Sequence, residues 1–413
     1  MRVCIHRGSK EIGGTCVEIE SGGKRLVLDV GLPIDARDAG DLPLHPVRGF
    51  AEPDSSLRGV VISHPHQDHY GLAHRLPEET LFLIGQAAER ILSAAALFSP
   101  SGQKLKNVVH LRDRRPVALE PFTITPFLVD HSAYDSYAVL IEAEGKRLFY
   151  TGDFRFHGRK ADRMTRLLAD PPGGVNILLM EGTSIGRGDQ VHSSEEELVG
   201  RFAGIFRSTE GMPLVWCSGQ NLDRIVTIFK ACLASKRQFI IDMYTAEVLR
   251  ATGNARLPQA DWRGVRVFLP DTQKWRIKRE KAFAVSDRYR PYRIHRDQLA
   301  GVASRSVMLF RPSMARELDA AYCLGGGCVV HSVWEGHRQC ERNQWFMRWM
   351  RDRALPLVRA CHVSGHAYTR DLKRMREAFP KALAVPVHLQ DREGFSALLG
   401  NVRLHGDGEW WEV

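Results

Sequence analysis

Up to about residue 150 the chain alternates short apolar runs with glycine-containing turns. Arg25–Val30 (RLVLDV), Gly59–Ser63 (GVVIS) and Tyr137–Ile141 (YAVLI) have strand length and β-branched side chains, and predict strands. Gly13-Gly14, Gly22-Gly23 and Gly31 predict the turns between them. Gln86–Phe98 (QAAERILSAAALF) spaces its apolar positions for one face of a helix. Around Ser193 the character changes. SSEEELVGRFAGIF places serine and glutamates ahead of spaced apolar residues, a helix start. PLVWCSG, NLDRIVTIFKACLA and QFIIDM then read strand, helix, strand, as in a separate α/β unit reaching to about Leu355. Beyond Val358 the pattern predicts short strand–loop pieces rich in histidine. There is no internal repeat and no low-complexity segment.

Length and composition narrow the class. A chain of 413 residues accommodates two to three domains of ordinary size and can bury a full core. Its 44% apolar and 26% charged residues exclude a disordered chain. No apolar run is long enough to cross a membrane, and MRVCIHRGSKEIGG lacks the apolar centre of a secretory signal, so a cytoplasmic location is expected. None of the eight cysteines forms a C-x-x-C pair, and free, buried thiols are expected. The net charge is +10. Most of that excess lies between Arg263 and Arg305, where twelve Lys or Arg face four acids. Trp262, Phe268, Trp275, Phe283, Tyr289 and Tyr292 are interleaved with them. Cations bind phosphates and aromatic faces stack on bases, so the stretch is a candidate single-strand nucleic-acid surface. The competing reading is a solvated basic face with its aromatics turned to the core.

The strongest chemical signal is HPHQDH at residues 64–69. His64, His66, Asp68 and His69 supply four ligand-type side chains directly after a predicted strand. Strand alternation sends His64 and His66 the same way, and the loop then turns Asp68 and His69 toward a second point. Imidazole with carboxylate suits zinc, manganese or iron. Three further candidates follow strand-like segments: His131 after FLVD, Asp153 after LFYTG and His388 after AVPV. Each alone is unremarkable. Together the set can complete two coordination shells, with a carboxylate such as Asp153 bridging two ions.

In this order (HxHxDH, His, Asp, distant His) the chain resembles the metallo-β-lactamase-fold hydrolases over nearly its whole length. The resemblance implies an αββα sandwich with the site at the edge where the sheets meet. It implies that His64, His66 and His131 hold one metal, that Asp68, His69 and His388 hold the other, and that Asp153 lies between them. Asp29, in LVLDVG, matches the family's first motif and would orient a ligand or the loop. The 235 residues from Asp153 to His388 leave room for a whole domain, the mark of the β-CASP nucleases, which include RNase J. Their extra motifs have counterparts in Glu181 (ILLMEGT), His366 (HVSGHA) and His388 (PVHLQD). Motif A reads EGTS where relatives commonly carry EST or DST, and HYG replaces the frequent HxGG. Val413 follows soon after motif C, so a counterpart of RNase J's C-terminal extension is not expected.

The family's architecture divides the chain into a metallo-β-lactamase domain in two parts, residues 1–190 and 356–413, around an inserted α/β β-CASP domain at 191–355. The implied activity is hydrolysis of single-stranded RNA with two divalent ions, zinc or else manganese, leaving 5′-phosphate and 3′-hydroxyl ends. A histidine at motif C goes with RNA in this family. Asp68, His366 and Glu181 would be catalytic, and Ser364 and Gly365 would approach the substrate phosphate. Ser218, Gln220, Asn221 and Arg224 at a helix start are further phosphate candidates, with capping an equal explanation for Ser218 and Asn221; His362 would orient a neighbouring ligand or only pack, and His157 reads as structural or as a rim contact. A homodimer is the candidate assembly. The alternatives are a DNA exonuclease of the same architecture, a small-molecule metallo-hydrolase, and a pseudo-enzyme that has lost its metals.

Overall fold

The computed structural model describes all residues except 35, 37–41, 100–101, 188–192, 337–342 and 360. The chain divides into two compact units. The first comprises Met1–Ser93, Gln103–His192 and Gly365–Val413; the second comprises Ala94–Gly102 and Ser193–Ser364.

The first unit is built on two sheets. One contains β1 (Arg2–Arg7), β2 (Cys16–Ser21), β3 (Lys24–Leu28), β4 (Leu57–Val61), β5 (Leu81–Gly85) and β6 (Asn107–Leu111), with β20 (Trp410–Glu412) on the far side of β1. The other runs β7 (Val117–Leu119), β8 (Phe122–Leu128), β9 (Tyr137–Ala143), β10 (Lys146–Tyr150), β11 (Ile177–Glu181) and β19 (Leu383–Val387). Each is antiparallel at one side and parallel at the other: β3 to β6 are parallel, as are β10, β11 and β19.

Strand alternation explains the layering. Leu26, Leu28, Val61 and Leu83 of the first sheet share one core with Val139, Ile141, Leu148, Leu179 and Val387 of the second. The intervening residues face outward. Val27, Val60 and Phe82 pack with Ala88 and Leu92 of the helix Gln86–Ala95. On the other side, Phe149, Leu178 and Ala384 pack with Met164, Leu372, Met375 and Phe395 of the helices Ala161–Ala169, Thr369–Ala378 and Arg392–Leu399. The result is the expected αββα sandwich. Each fully buried aliphatic side chain contributes about 1.5–3 kcal/mol to it.

Two expectations are corrected. The helix predicted to reach Phe98 ends at Ala95, where the Phe98 and Ser99 N–H groups both turn back to the Ala95 carbonyl. The region beyond Val358 is not only strand and loop, because it contains the helices at 369–378 and 392–399. In TRDLKRMREA the large buried apolar residues are Leu372 and Met375, too narrow a stripe to stand out among charges.

The second unit holds a seven-stranded sheet in the order β15 (Arg293–Ile294), β14 (Val265–Phe268), β13 (Gln238–Asp242), β16 (Ser306–Phe310), β12 (Pro213–Trp216), β17 (Cys328–His331) and β18 (Leu357–Val358). Every pairing in it is parallel. Its central strands PLVW and SVMLF are buried throughout, as a sheet covered on both faces requires. The helix Glu195–Ser208 begins in a capping box: Ser194 Oγ accepts from the Glu197 N–H at 3.2 Å, and Glu197 accepts from the Ser194 N–H at 3.1 Å. No described helix is long and apolar enough to cross a membrane. Seven cysteines are free and buried, and Cys340 lies outside the described residues.

Candidate metal centre

The chemistry collects at one rim of the first unit. Asp29 follows β3, His64 to His69 follow β4, His131 follows β8, Asp153 follows β10, Glu181 ends β11 and His388 follows β19. β8 and β10 point the same way because each is antiparallel to β9 between them, and β11 and β19 continue that direction. Strand direction therefore brings His131, Asp153, Glu181 and His388, far apart in sequence, to one edge of their sheet. Asp68 and His69 lie on a single helical turn, Gln67–Tyr70, rather than on an irregular loop.

The side chains form overlapping groups: His64, His66 and His131; His64, His69 and Asp153; Asp68, His69 and His388; and Asp153, His366 and His388. Within each group the ligand atoms lie within 4.8 Å of one another. His66 Nδ1 and His131 Nε2 are 3.2 Å apart. Asp153 Oδ2 is central, 3.3 Å from His69 Nε2, 3.6 Å from His64 Nε2 and 3.8 Å from His388 Nε2. Asp68 Oδ2 stands 3.7 Å from His388 Nε2 and 3.9 Å from His69 Nε2.

These atoms fit a metal ion. His64 Nε2, His69 Nε2, His388 Nε2 and Asp153 Oδ1 are buried with no hydrogen-bond partner. An orphaned buried polar atom costs about 1–3 kcal/mol, so four such atoms facing one another indicate donors shaped for a cation. Burial pushes His64, His131 and His388 down and takes His66 to about 4, keeping these imidazoles neutral, the form that binds metal. Burial opposes the charged form of His69 as well, but Asp153, Asp29 and Asp68 outweigh it and hold His69 well above the ordinary histidine range. At Asp153 burial is outweighed by His388, His69 and His366, which hold the carboxyl down.

A second layer fixes the donors. Asp29 is fully buried and accepts from the Ser63 N–H (2.7 Å), Ser63 Oγ (2.8 Å) and Tyr150 OH (2.6 Å). His69 Nδ1 lies 2.7 Å from Asp29 Oδ2, which aims Nε2 at the cluster. Thr15 Oγ1 lies 2.8 Å from His388 Nδ1 and does the same there. Asp29 and His388 adopt left-handed backbone (φ 60 and 58), and both follow strands at the rim. Gly31 lets the segment after β3 touch the ligand turn. A Cβ there would stand 1.8 Å from the Asp68 carbonyl oxygen.

His366 lies beside the donors. Its Nδ1 is 3.0 Å from Glu181 Oε2 and 3.6 Å from Asp153 Oδ2. Burial works against its cation, yet Glu181 and Asp153 raise its pKa. Glu181 is itself held by the Phe154 N–H at 3.0 Å. Gly365 is packed closely, since a Cβ would come 2.7 Å from Ser132 Oγ and 3.2 Å from the His131 ring. Ser364 is half-buried.

Several residues escaped the sequence reading. Asp130 and Arg155, both fully buried, are 3.5 Å apart, and Asp130 accepts from the Gly158 N–H at 2.7 Å. Lys160 Nζ donates to the His131 carbonyl at 3.1 Å. Ser63, Thr15 and Tyr150 carry no motif. The only signal pointing to Asp130 was its place beside His131.

Other candidates are structural. Arg224 is not available to a phosphate: it is fully buried, binds both oxygens of Glu195 at 2.9 and 3.1 Å, and donates to the Ser332, Cys361 and Val363 carbonyls. A guanidinium with its donors so engaged has none left for a ligand. Asn221 caps its helix by accepting the Arg224 N–H, Ser218 accepts the Gln220 N–H, and Gln220 donates to Tyr244 OH. His157 stacks on Tyr368 at 4.2 Å. In the basic stretch Phe268 and Tyr289 are buried, whereas Trp275 and Phe283 are exposed.

Residues 25–203 match the model of the β-lactamase superfamily domain. Ribonuclease J of Helicobacter pylori (strain 26695) is 23% identical over 263 residues, 61% of this chain and 38% of that protein. Ribonuclease J of Sinorhizobium meliloti is 23% identical over 367 residues, 84% of this chain and 60% of that protein. The chain thus spans less than two thirds of the length of either relative. The crystal structure of a protein of unknown function from Enterococcus faecalis V583 shares the fold over 99% of both chains, with a TM-score of 0.78 at 19% identity. Residues 25–203 thus match a β-lactamase superfamily domain, and the chain is similar in sequence to ribonuclease J proteins over part of their length.

Proposed function

We propose that this hydrolase is a β-CASP-type ribonuclease that cleaves phosphodiester bonds of single-stranded RNA, leaving 5′-phosphate and 3′-hydroxyl ends. The observation that carries the proposal is the set of imidazoles and carboxylates meeting around Asp153, with His366 and Glu181 beside them. His64, His66 and His131 would hold one divalent ion, and Asp68, His69 and His388 a second, with Asp153 shared. Zinc is the best match to this donor set, and manganese the alternative. Two such ions would make water acidic enough to attack at neutral pH and would offset the charge on the phosphoryl oxygens.

The chain's own groups complete the reaction. Asp68 accepts a hydrogen bond from the attacking water and aligns it with phosphorus. As the P–O3′ bond breaks, the 3′ oxygen takes a proton from His366, which Glu181 keeps charged and oriented. Backbone at Ser364 and Gly365 approaches the phosphate. The relatives' name, ribonuclease J, favours RNA as the polymer. Free, buried thiols accord with a cytoplasmic setting.

The test is cleavage of one sequence supplied as RNA and as DNA, internally and 5′-labelled, with zinc or manganese and with Asp68→Ala as the blank. Metal-dependent RNA cleavage that vanishes in the variant is expected. Preference for DNA, or cleavage of neither polymer by protein carrying two ions, would overturn the reading.

A further inference from the structure

The helix Asp271–Arg279 in the second unit buries Gln273 and Ile277 and turns Lys274, Trp275, Lys278 and Arg279 to solvent. Trp275 is 57% exposed, and Phe283, which opens the next helix (Phe283–Arg288), is 51% exposed. Large aromatic side chains are normally withdrawn from water. Their neighbours show that core positions were accessible to this segment: Phe268, at the end of β14, packs in the core, and Tyr289 is buried and donates to Glu247 at 2.6 Å. The Arg279 guanidinium lies over the Trp275 ring at 4.6 Å and pairs with Glu280 at 2.7 Å, so it covers one face of the indole. Lys274 and Lys278, one helical turn apart, repel each other, and neither they nor Lys281 form an ion pair among the described residues.

We propose that this face is a docking surface for single-stranded RNA. The phosphates run along Lys274, Lys278 and Lys281, and bases stack on Trp275 and Phe283. The choice of RNA rests on the ribonuclease reading, whereas the single-stranded polyanion follows from the surface itself. Exposed lysines outside any ion pair offer contacts to phosphates, and flat, exposed aromatics offer stacking faces to unpaired bases. A protein partner is a poorer match, because interface centres are depleted in lysine.

The test measures fluorescence anisotropy of a short labelled oligouridylate with the full chain, treated with chelator so that nothing is cut. Trp275→Ala is expected to weaken binding by about 5- to 150-fold. The double variant Lys274→Gln/Lys278→Gln is expected to lower the slope of log affinity against log salt by about 1.4. Trp410→Ala, an exposed tryptophan of the first unit, is expected to bind as the wild type does. Thermal melts confirm that each variant is folded. Unchanged affinity and slope in both surface variants, while the wild type cleaves RNA, would sink the docking surface and leave the ribonuclease standing. A wild-type chain that neither binds nor cuts RNA would sink both. Self-association abolished by Trp275→Ala, with RNA affinity unaffected, would assign the face to a second copy and overturn the proposal.

Discussion

The two units treat buried charge in opposite ways. In the second, buried charges are paired within the fold. Asp242, at the end of β13, accepts from Arg311 at 2.7 Å, from Gln273 at 2.6 Å and from the Thr245 N–H at 2.9 Å. Glu195 and Arg224 hold each other bidentately, and Arg224 spends its remaining donors on backbone carbonyls. In the first unit, His64, His69 and His388 turn Nδ1 to Ser63, Asp29 and Thr15, while their Nε2 atoms face the cluster with no hydrogen bond. The lesson is that burial and charge do not mark a functional site by themselves. Polar atoms that the fold orients and then leaves unpaired do.

The comparison can be broken at His366. If this residue serves the reaction rather than the donor cluster, His366→Ala lowers the rate of RNA cleavage by about 10²–10⁴ while metal content stays at the wild-type level. Metal analysis and single-turnover kinetics on one preparation check this, and joint loss of metal and activity would make His366 a ligand. In the second unit the large effect is on stability. Glu195→Ala strands a buried guanidinium and is expected to cost about 3–5 kcal/mol by urea denaturation. Glu195→Leu with Arg224→Met should cost less than Glu195→Ala alone, since the charge goes with its partner. Equal losses would mean that the pair contributes net stability.

A buried histidine outside the donor set gives the next effect. Burial lowers His45 to about 4, and its Nε2 lies 3.4 Å from the Gly31 carbonyl. Its folded pKa is below the unfolded value of about 6.5. Below that value the unfolded chain takes up a proton that the folded chain refuses. Stability is therefore full above about pH 6.5 and is lost as pH falls toward 4, by up to about 3 kcal/mol. Denaturation across this range should show the slope in the wild type and a flatter one in His45→Gln. The smallest effect is expected at Asp29. Asp29→Asn keeps the shape but weakens the hold on His69, and metal affinity by titration should fall about 10- to 100-fold with the fold intact. Unchanged affinity would show that Ser63 and Tyr150 alone orient the ligand turn.

What was legible in the sequence was what depends on near neighbours. HPHQDH announced its donor types because it packs them into six positions after a β-branched run. The short, β-branched apolar runs RLVLDV and YAVLI were enough for strands, and SSEEELVG for a capped helix. The helix at 369–378 was not legible, because Leu372 and Met375 are a narrow signal among charges. Nor was the engagement of Arg224: an arginine at a helix start looks the same in sequence whether it faces solvent or a glutamate 29 residues away.

The sequence by itself determined which chemistry the chain carries and, through short continuous apolar runs, which segments form buried strands. Only the tertiary structure decided which atoms meet. Asp29 reaches His69 because β3 and β4 run parallel and end together, and Gly31 leaves room for the Asp68 carbonyl to close against that edge. Thr15, just ahead of β2 in one sheet, reaches His388, just after β19 in the other, across 373 positions because the two sheets pack on one core. Backbone hydrogen bonds fix strand direction and register, and that register places the donors around Asp153, which local pattern cannot encode.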